Sequence, residues 1–323
     1  MLLNVKNLSI SFKTKSGIIQ AVRNISFSIN SGDTLGIVGE SGCGKSITNL
    51  AIMRLLTPQA IVQADVLEFN GINLLNLKER KWQQIRGKEI SMIFQDPMSA
   101  LNPCFTVGHQ IKETLKVHTS LKKKEIAEKA IDLLEQVGIP DPKTRISSYP
   151  HELSGGMAQR VMIAMAIACR PKLLIADEPT TALDVTIQDQ ILELLSKLQK
   201  ENNMAMILVT HDLGVVAKHS KLLQVMYAGE IIESGITDQI INRPYHPYTY
   251  GLLQSLPSEH NTEIKSILPS IKGIVPDLHN RPTGCQFHPR CNKIIANCST
   301  QIPSQHQDIN HHVLCFNPIH KDS

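Results

Sequence analysis

Polar and apolar positions alternate at Ile25, Phe27 and Ile29, which predicts a half-buried strand near the start of the chain. Ser31-Gly32-Asp33 reads as a turn, and Thr34 to Val38 as a short apolar strand. A glycine-rich loop follows, and then a spacing that predicts a helix through Leu50 and Leu56. Ile90 to Phe94 predicts another buried strand, and from Ser99 to Gln136 the pattern is helical. Leu173 to Ala176 and Met206 to Val209 are short apolar runs of the kind that fill buried parallel strands, with helical stretches between them as crossovers. The class predicted is α/β, a parallel sheet carrying a helical insertion.

After Arg243 the pattern changes. Prolines and histidines become frequent, as at Pro244, His246, Pro247, Pro276, Pro282 and Pro289. This marks a boundary near residue 240 and a tail, 241–323, set apart by composition. The 323 residues, 42% of them hydrophobic, are enough to bury a substantial core. A net charge of +4 gives no electrostatic footprint for nucleic acid, and the basic run Lys122-Lys123-Lys124 reads as a solvated helix face. The N-terminus has no charged region followed by an apolar run, so no secretory leader is expected. The longest apolar run, Val161 to Cys169, falls well short of the roughly 20 residues that span a bilayer, so a soluble protein is expected, with any membrane role exercised through a partner. Seven cysteines without a leader read as reduced thiols.

Three segments carry candidate chemistry. Gly39-Glu40-Ser41-Gly42-Cys43-Gly44-Lys45-Ser46 matches the phosphate-loop pattern in full, between a strand and a helix. Glycines let the backbone curl until successive N–H groups face phosphate oxygens, and the helix N-terminus adds partial positive charge. Lys45 is then placed for the β- and γ-phosphates, and the Ser46 hydroxyl for Mg²⁺. Leu173-Leu174-Ile175-Ala176-Asp177-Glu178 is an apolar strand ending in two acids, where Asp177 can hold the Mg²⁺ shell and Glu178 can polarise an attacking water. A strand-end turn is the bland alternative for Asp-Glu-Pro. Leu153-Ser154-Gly155-Gly156-Met157 stands before a helix and makes a second anion cradle, although a serine N-cap alone accounts for Ser154.

In this order the motifs resemble those of ABC ATPases, and Leu153-Ser154-Gly155-Gly156-Met157 resembles their LSGGQ signature, with Met157 in place of the usual glutamine. The resemblance covers 1–240. It implies an ABC-type P-loop ATPase core with a helical subdomain at about 96–160, and ATP with Mg²⁺ as ligands. It makes Gln95 the Q-loop glutamine and a third Mg²⁺ donor beside Ser46 and Asp177. It also implies Asp184 in a D-loop with Ala182 and Leu183, His211 as the switch histidine at the γ-phosphate, and catalysis by Glu178, His211 and Gln95. Phe12 is a candidate for stacking on adenine, or a core residue. Two such domains face head to tail, so Ser154, Gly155, Gly156 and Met157 are expected to serve the partner's nucleotide.

The tail narrows the family. Arg243-Pro244-Tyr245-His246-Pro247-Tyr248-Thr249 and Gly284-Cys285-Gln286-Phe287-His288-Pro289-Arg290-Cys291 resemble the extension of peptide-importer ATPases. The resemblance implies a second, different ATPase subunit, two transmembrane permease subunits and, indirectly, a solute-binding protein. It implies a peripheral place on the cytoplasmic face of the inner membrane, and dipeptides as cargo, with oligopeptides, nickel or another small solute as alternatives. Cys285, Cys291, Cys298 and Cys315 lack the spacing of ordinary zinc sites. Four thiolates can hold a [4Fe–4S] cluster, as in some peptide-importer ATPases, and four buried thiols packing as small apolar groups is the other reading.

Overall fold

In the computed structural model, residues 1–181, 183–255, 270–308 and 311–319 are described. The chain forms two compact units, one of Met1–Ile29, Thr34–Leu74 and Thr210–Ser323, the other of Asn30–Asp33 and Leu75–Val209. The first unit begins with β1 (Leu3–Thr14), β2 (Gly17–Ile29), β3 (Thr34–Val38), α1 (Lys45–Ile52), β4 (Ala60–Gln63), β5 (Val66–Phe69) and β6 (Ile72–Asn73). The second holds α2 (Glu79–Ile85), β7 (Ile90–Ile93), α3 (Pro97–Ala100), α4 (Val107–His118), α5 (Lys123–Gln136), α6 (Pro142–Arg145), α7 (Gly155–Ile167), β8 (Leu173–Asp177), α8 (Val185–Glu201) and β9 (Ala205–Thr210). The chain then returns to the first unit with α9 (Leu213–His219), β10 (Leu222–Tyr227), β11 (Glu230–Ile236), α10 (Thr237–Asn242), α11 (Pro247–Gln254), β12 (Gln305–Asp308) and β13 (His311–Leu314).

Within the first unit, β1 and β2 form a long antiparallel hairpin, and β4 and β5 pair antiparallel with β1. The alternation read at Ile25, Phe27 and Ile29 is the buried face of β2. A second sheet runs β12-β13-β11-β10-β3, parallel only between β10 and β3. The late strands therefore extend the sheet whose β3 leads into the phosphate loop. Glu233 of β11 stands opposite Val313 of β13.

Within the second unit, β7, β8 and β9 are parallel, and every residue of β8 and β9 is buried, which is why both strands are apolar up to their last residues, Asp177 and Thr210. Helices α4, α5 and α7 pack on one another. Val107, Ile111 and Leu115 of α4 recur every four residues, as do Ile126 and Ala130 of α5, so each helix buries one stripe. Thr106 caps α4 by accepting the His109 N–H, and Lys122, Lys123 and Lys124 are exposed at the start of α5 as expected.

One expected helix ends early. α1 stops at Ile52 rather than running through Leu56. Arg54 takes a left-handed φ of 52°, and the Leu55 N–H turns back to the Leu50 carbonyl at 2.8 Å, a C-terminal closure that ends the helix before Pro58 is reached.

Candidate functional site

The phosphate loop joins β3 to α1 inside the first unit. Its backbone needs glycine: Gly39, Gly42 and Gly44 have φ of 156°, 79° and 104°. At Gly39 a Cβ would lie 2.2 Å from the Met226 carbonyl oxygen, so no other residue fits. Lys45 is 5% exposed, and its Nζ donates to the Gly39 carbonyl at 2.7 Å and the Glu40 carbonyl at 3.1 Å, with the Cys43 sulfur at 3.7 Å. Burial pushes the Cys43 thiol up, so it stays protonated beside the ammonium. Gly44 N-caps α1 without a side-chain acceptor for the first-turn N–H groups, which suits an external anion. Ser46 lies in that first turn, and Ser41 is exposed. The Gly229 N–H donates to the Cys43 carbonyl at 2.9 Å, so the turn after β10 buttresses the loop. Phe12 lies on β1, partly buried, opposite Ile19 and Ala60.

The second unit carries the acids. Asp177 ends β8 and is 5% exposed. Glu178 follows with φ of 46°, a left-handed conformation for a branched-free but bulky residue that stands before Pro179. Such strain persists only where the surroundings impose it. Here the Glu178 N–H donates to the Val209 carbonyl at 3.0 Å. The Glu178 Oε2 accepts from Gln95 Nε2 at 3.2 Å and from Thr181 Oγ1 at 3.0 Å, so two expected site residues meet, and Thr181, which was not among them, joins the pair. Ser154 N-caps α7, its Oγ accepting from the Met157 N–H at 3.4 Å. A Cβ on Gly156 would stand 3.0 Å from Ile187 of α8, whereas one on Gly155 would meet nothing closer than Leu183 at 3.8 Å. Within its own unit Gly155 has room for a side chain. Asp184 caps α8 by accepting the Ile187 N–H at 2.9 Å, and Ala182 lies outside the described residues.

His211, exposed, sits in the turn before α9. Asp212 fixes that turn by donating its N–H to Thr210 Oγ1 at 3.1 Å and accepting from the N–H groups of Gly214 and Val215.

Two family models match the chain. One, described as ABC transporter, covers residues 22–181, and one described as oligopeptide/dipeptide transporter, C-terminal region, covers residues 232–298. The chain is 53% identical to the dipeptide transport ATP-binding protein DppD of Escherichia coli over 94% of its own length and 92% of that protein's. The chain belongs to the family of ABC transporter ATP-binding proteins. It is also 52% identical to the DppD protein of Haemophilus influenzae, over 99% of this chain and 96% of the relative, and 53% identical to the oligopeptide transport ATP-binding protein OppD of Bacillus subtilis, over 88% and 80%. Among solved structures, a dimeric ATP-binding cassette in a post-hydrolysis state with ADP and Pi matches with a TM-score of 0.66 at 28% identity, over 73% of this chain and 98% of that one. An ABC transporter component from Clostridium perfringens matches with a TM-score of 0.62 at 27% identity, over 75% and 90%. ABC ATPases bind ATP with Mg²⁺, work as pairs and partner transmembrane permeases, and the α/β cassette fold expected from the motifs is the fold found.

The iron–sulfur expectation is corrected. Among the described residues no three His, Cys, Asp or Glu side chains are grouped to hold a metal ion. Cys285 and Cys291 instead pack against the apolar cluster of Tyr227, Tyr248 and Phe287, and Cys315 packs with Tyr245 and Val313. Burial pushes the Cys285 thiol up to about 11 and Cys315 up to about 12, and raises Cys291 as well. In this arrangement the three thiols are protonated at neutral pH and pack as small apolar groups.

Residue-by-residue reading missed the contacts that tie the tail to the loop. The Glu40 N–H donates to the Tyr248 hydroxyl at 2.9 Å, and the Glu40 carboxylate pairs with Arg290. Glu233, 1% exposed, accepts from the N–H groups of Tyr245 at 2.6 Å and His246 at 3.0 Å, and is bonded to His311 Nε2 at 2.7 Å. Tyr245, His246, Tyr248 and Arg290 fall in the two tail segments already singled out, whereas Glu233 and His311 carried no signal in the sequence.

Proposed function

We propose that this chain is the ATP-hydrolysing subunit that energises dipeptide import through a transmembrane permease pair, working peripherally at the cytoplasmic face of the inner membrane. The observation that carries this reading is 53% identity over nearly the whole chain to a dipeptide transport ATP-binding protein, tail included. No helix among the described residues is long and apolar enough to cross a membrane, in keeping with a subunit that acts through partners.

Residues 1–240 form the ATPase in this reading and 241–323 the importer-specific extension. Lys45 and the backbone of Gly39, Glu40, Ser41, Gly42, Cys43, Gly44 and Ser46 bind the phosphates, and Phe12 meets the adenine. Ser46, Gln95 and Asp177 are hard oxygen donors of the kind Mg²⁺ prefers, and Asp177, 5% exposed at a strand end, is a buried carboxylate that such a charge would compensate. When bound, Mg²⁺ neutralises charge developing on the transferred phosphoryl group. Glu178 orients and deprotonates the attacking water. Gln95, hydrogen-bonded to it, holds the carboxylate in place, and His211 contacts the γ-phosphate. Ser154, Gly155, Gly156 and Met157 face the nucleotide of a different partner ATPase, and the spare room at Gly155 favours a ligand brought by that partner.

Uptake of a labelled dipeptide in a strain lacking this chain tests the cargo. Restoration by the parent chain and not by Lys45→Ala is expected. Restored uptake of longer peptides without dipeptides would favour the oligopeptide reading, which the 53% identity to the Bacillus subtilis protein supports.

A further inference from the structure

The phosphate loop carries an acid, Glu40, directly after its first glycine. Its backbone carbonyl accepts from Lys45 Nζ at 3.1 Å, so this residue borders the ammonium that serves the phosphates. A free carboxylate here would repel a polyanion. In this chain it is not free. Arg290 of the tail, 250 residues away, meets it with both arms of the guanidinium: Nη1 to Oε2 at 2.6 Å and Nη2 to Oε1 at 3.0 Å.

The Arg290 side chain is 4% exposed, and all five of its donors are used. Besides the two bonds to Glu40, Nη1 reaches the Tyr227 hydroxyl at 3.4 Å, Nη2 the Ile271 carbonyl at 3.3 Å and Nε the Lys272 carbonyl at 3.1 Å. The guanidinium carbon also lies 5.8 Å from the Tyr227 ring centre. Lysine cannot reproduce this fork. Tyr248, also from the tail, accepts the Glu40 N–H at 2.9 Å, and the Cys43 N–H turns back to the Glu40 carbonyl at 3.3 Å, so both sides of the Glu40 peptide are held within the fold. Tyr227 and Tyr248 each pack edge to face with Phe287 and lie tilted on one another, and the Tyr227 hydroxyl and ring face Arg290.

We infer that Arg290 is a positioning residue for ATP: it neutralises Glu40 and, with Tyr248, sets the phosphate loop in its binding shape, so that the C-terminal extension governs nucleotide affinity. The inference rests on the assignment of the loop to ATP. It predicts that loss of Arg290 acts through Glu40 and not through general loosening of the tail.

The test is a double-mutant cycle on the full-length chain, read by titration of a fluorescent ATP analogue with Mg²⁺. Arg290→Ala raises Kd roughly tenfold, most strongly at low salt, because it leaves an unpaired carboxylate in the loop. Arg290→Lys recovers part of the loss. In a Glu40→Gln background the same Arg290→Ala change moves Kd by less than about twofold, since no charge remains to neutralise. In the assembled transporter KM for ATP rises while kcat changes little. An unchanged Kd in Arg290→Ala, or an equal loss with and without the Glu40 carboxylate, overturns the inference while leaving ATP binding intact. No binding by the parent chain contradicts the ATP assignment itself. If Arg290→Ala does not fold, Arg290→Gln and Arg290→Lys carry the same comparison.

Discussion

Lys45 and His246 show how burial sets chemistry at single residues. Lys45 is held against the Gly39 and Glu40 carbonyls, and in the proposed function this ammonium meets the phosphate oxygens. Lys45→Ala is expected to weaken ATP binding by about 100-fold, the scale of lost charge-assisted bonds to phosphate, as measured by nucleotide titration. His246 is 1% exposed and its Nδ1 accepts the Tyr248 N–H at 3.0 Å, a role open only to the neutral ring. Burial pushes its pKa down to about 4, against a smaller opposing pull from Glu233. The folded chain thus resists a proton that the unfolded chain accepts below its ordinary value near 6.5. Stability from this group is present above that value and declines as pH falls towards 4, by about 2 kcal/mol between pH 7 and pH 5. Denaturant unfolding at the two pH values checks this, and His246→Asn, which keeps an acceptor but cannot titrate, flattens the dependence. The phosphate loop was legible in the sequence because its ligand demands contiguous residues. Arg290 was not, because its partner lies 250 residues away and no local pattern marks the pair.

At the scale of elements, β3, β8 and β9 were readable because a strand buried on both faces is apolar over most of its length, with polar residues only at an end (Thr34, Asp177, Thr210). The end of α1 was misplaced because Leu55 and Leu56 continue an apolar pattern after the backbone has turned at Arg54. The late strand β13 escaped notice for a different reason. It is held through polar groups, with His311 on Glu233 and stacked against Tyr245 at 4.2 Å, so it carries little apolar alternation. Glu233 joins three segments at once: β11, the start of α11 and β13. Glu233→Ala leaves three buried donors unmatched and is expected to cost about 3 kcal/mol, seen as a lowered unfolding midpoint. The tail should lose protection in hydrogen exchange before the β1–β2 hairpin does.

At the scale of the whole molecule, two different family models match two segments of the chain, residues 22–181 and 232–298. The ordered motifs place the chain among ABC ATPases, and the tail, matching the oligopeptide/dipeptide transporter C-terminal region, points to the type of transporter. The four tail cysteines invited a metal reading because four thiols in one module are suggestive in sequence. Cys285 and Cys291 pack against the cluster of Tyr227 and Phe287, Cys315 packs with Tyr245, and among the described residues no three such side chains are grouped to hold a metal ion, so count alone misleads. The central claim is that this chain spends ATP by means of Glu178, whose strained backbone and bonds to Gln95 and Thr181 set it apart from an ordinary strand-end acid. The most direct measurement is ATP turnover by the assembled transporter carrying Glu178→Gln in this subunit, with nucleotide occupancy followed in parallel. With Glu178 as general base, ATP stays bound in the variant and hydrolysis at the Glu178 site falls at least about 100-fold, the scale of a lost general base. Turnover at that site equal to the parent's would contradict it.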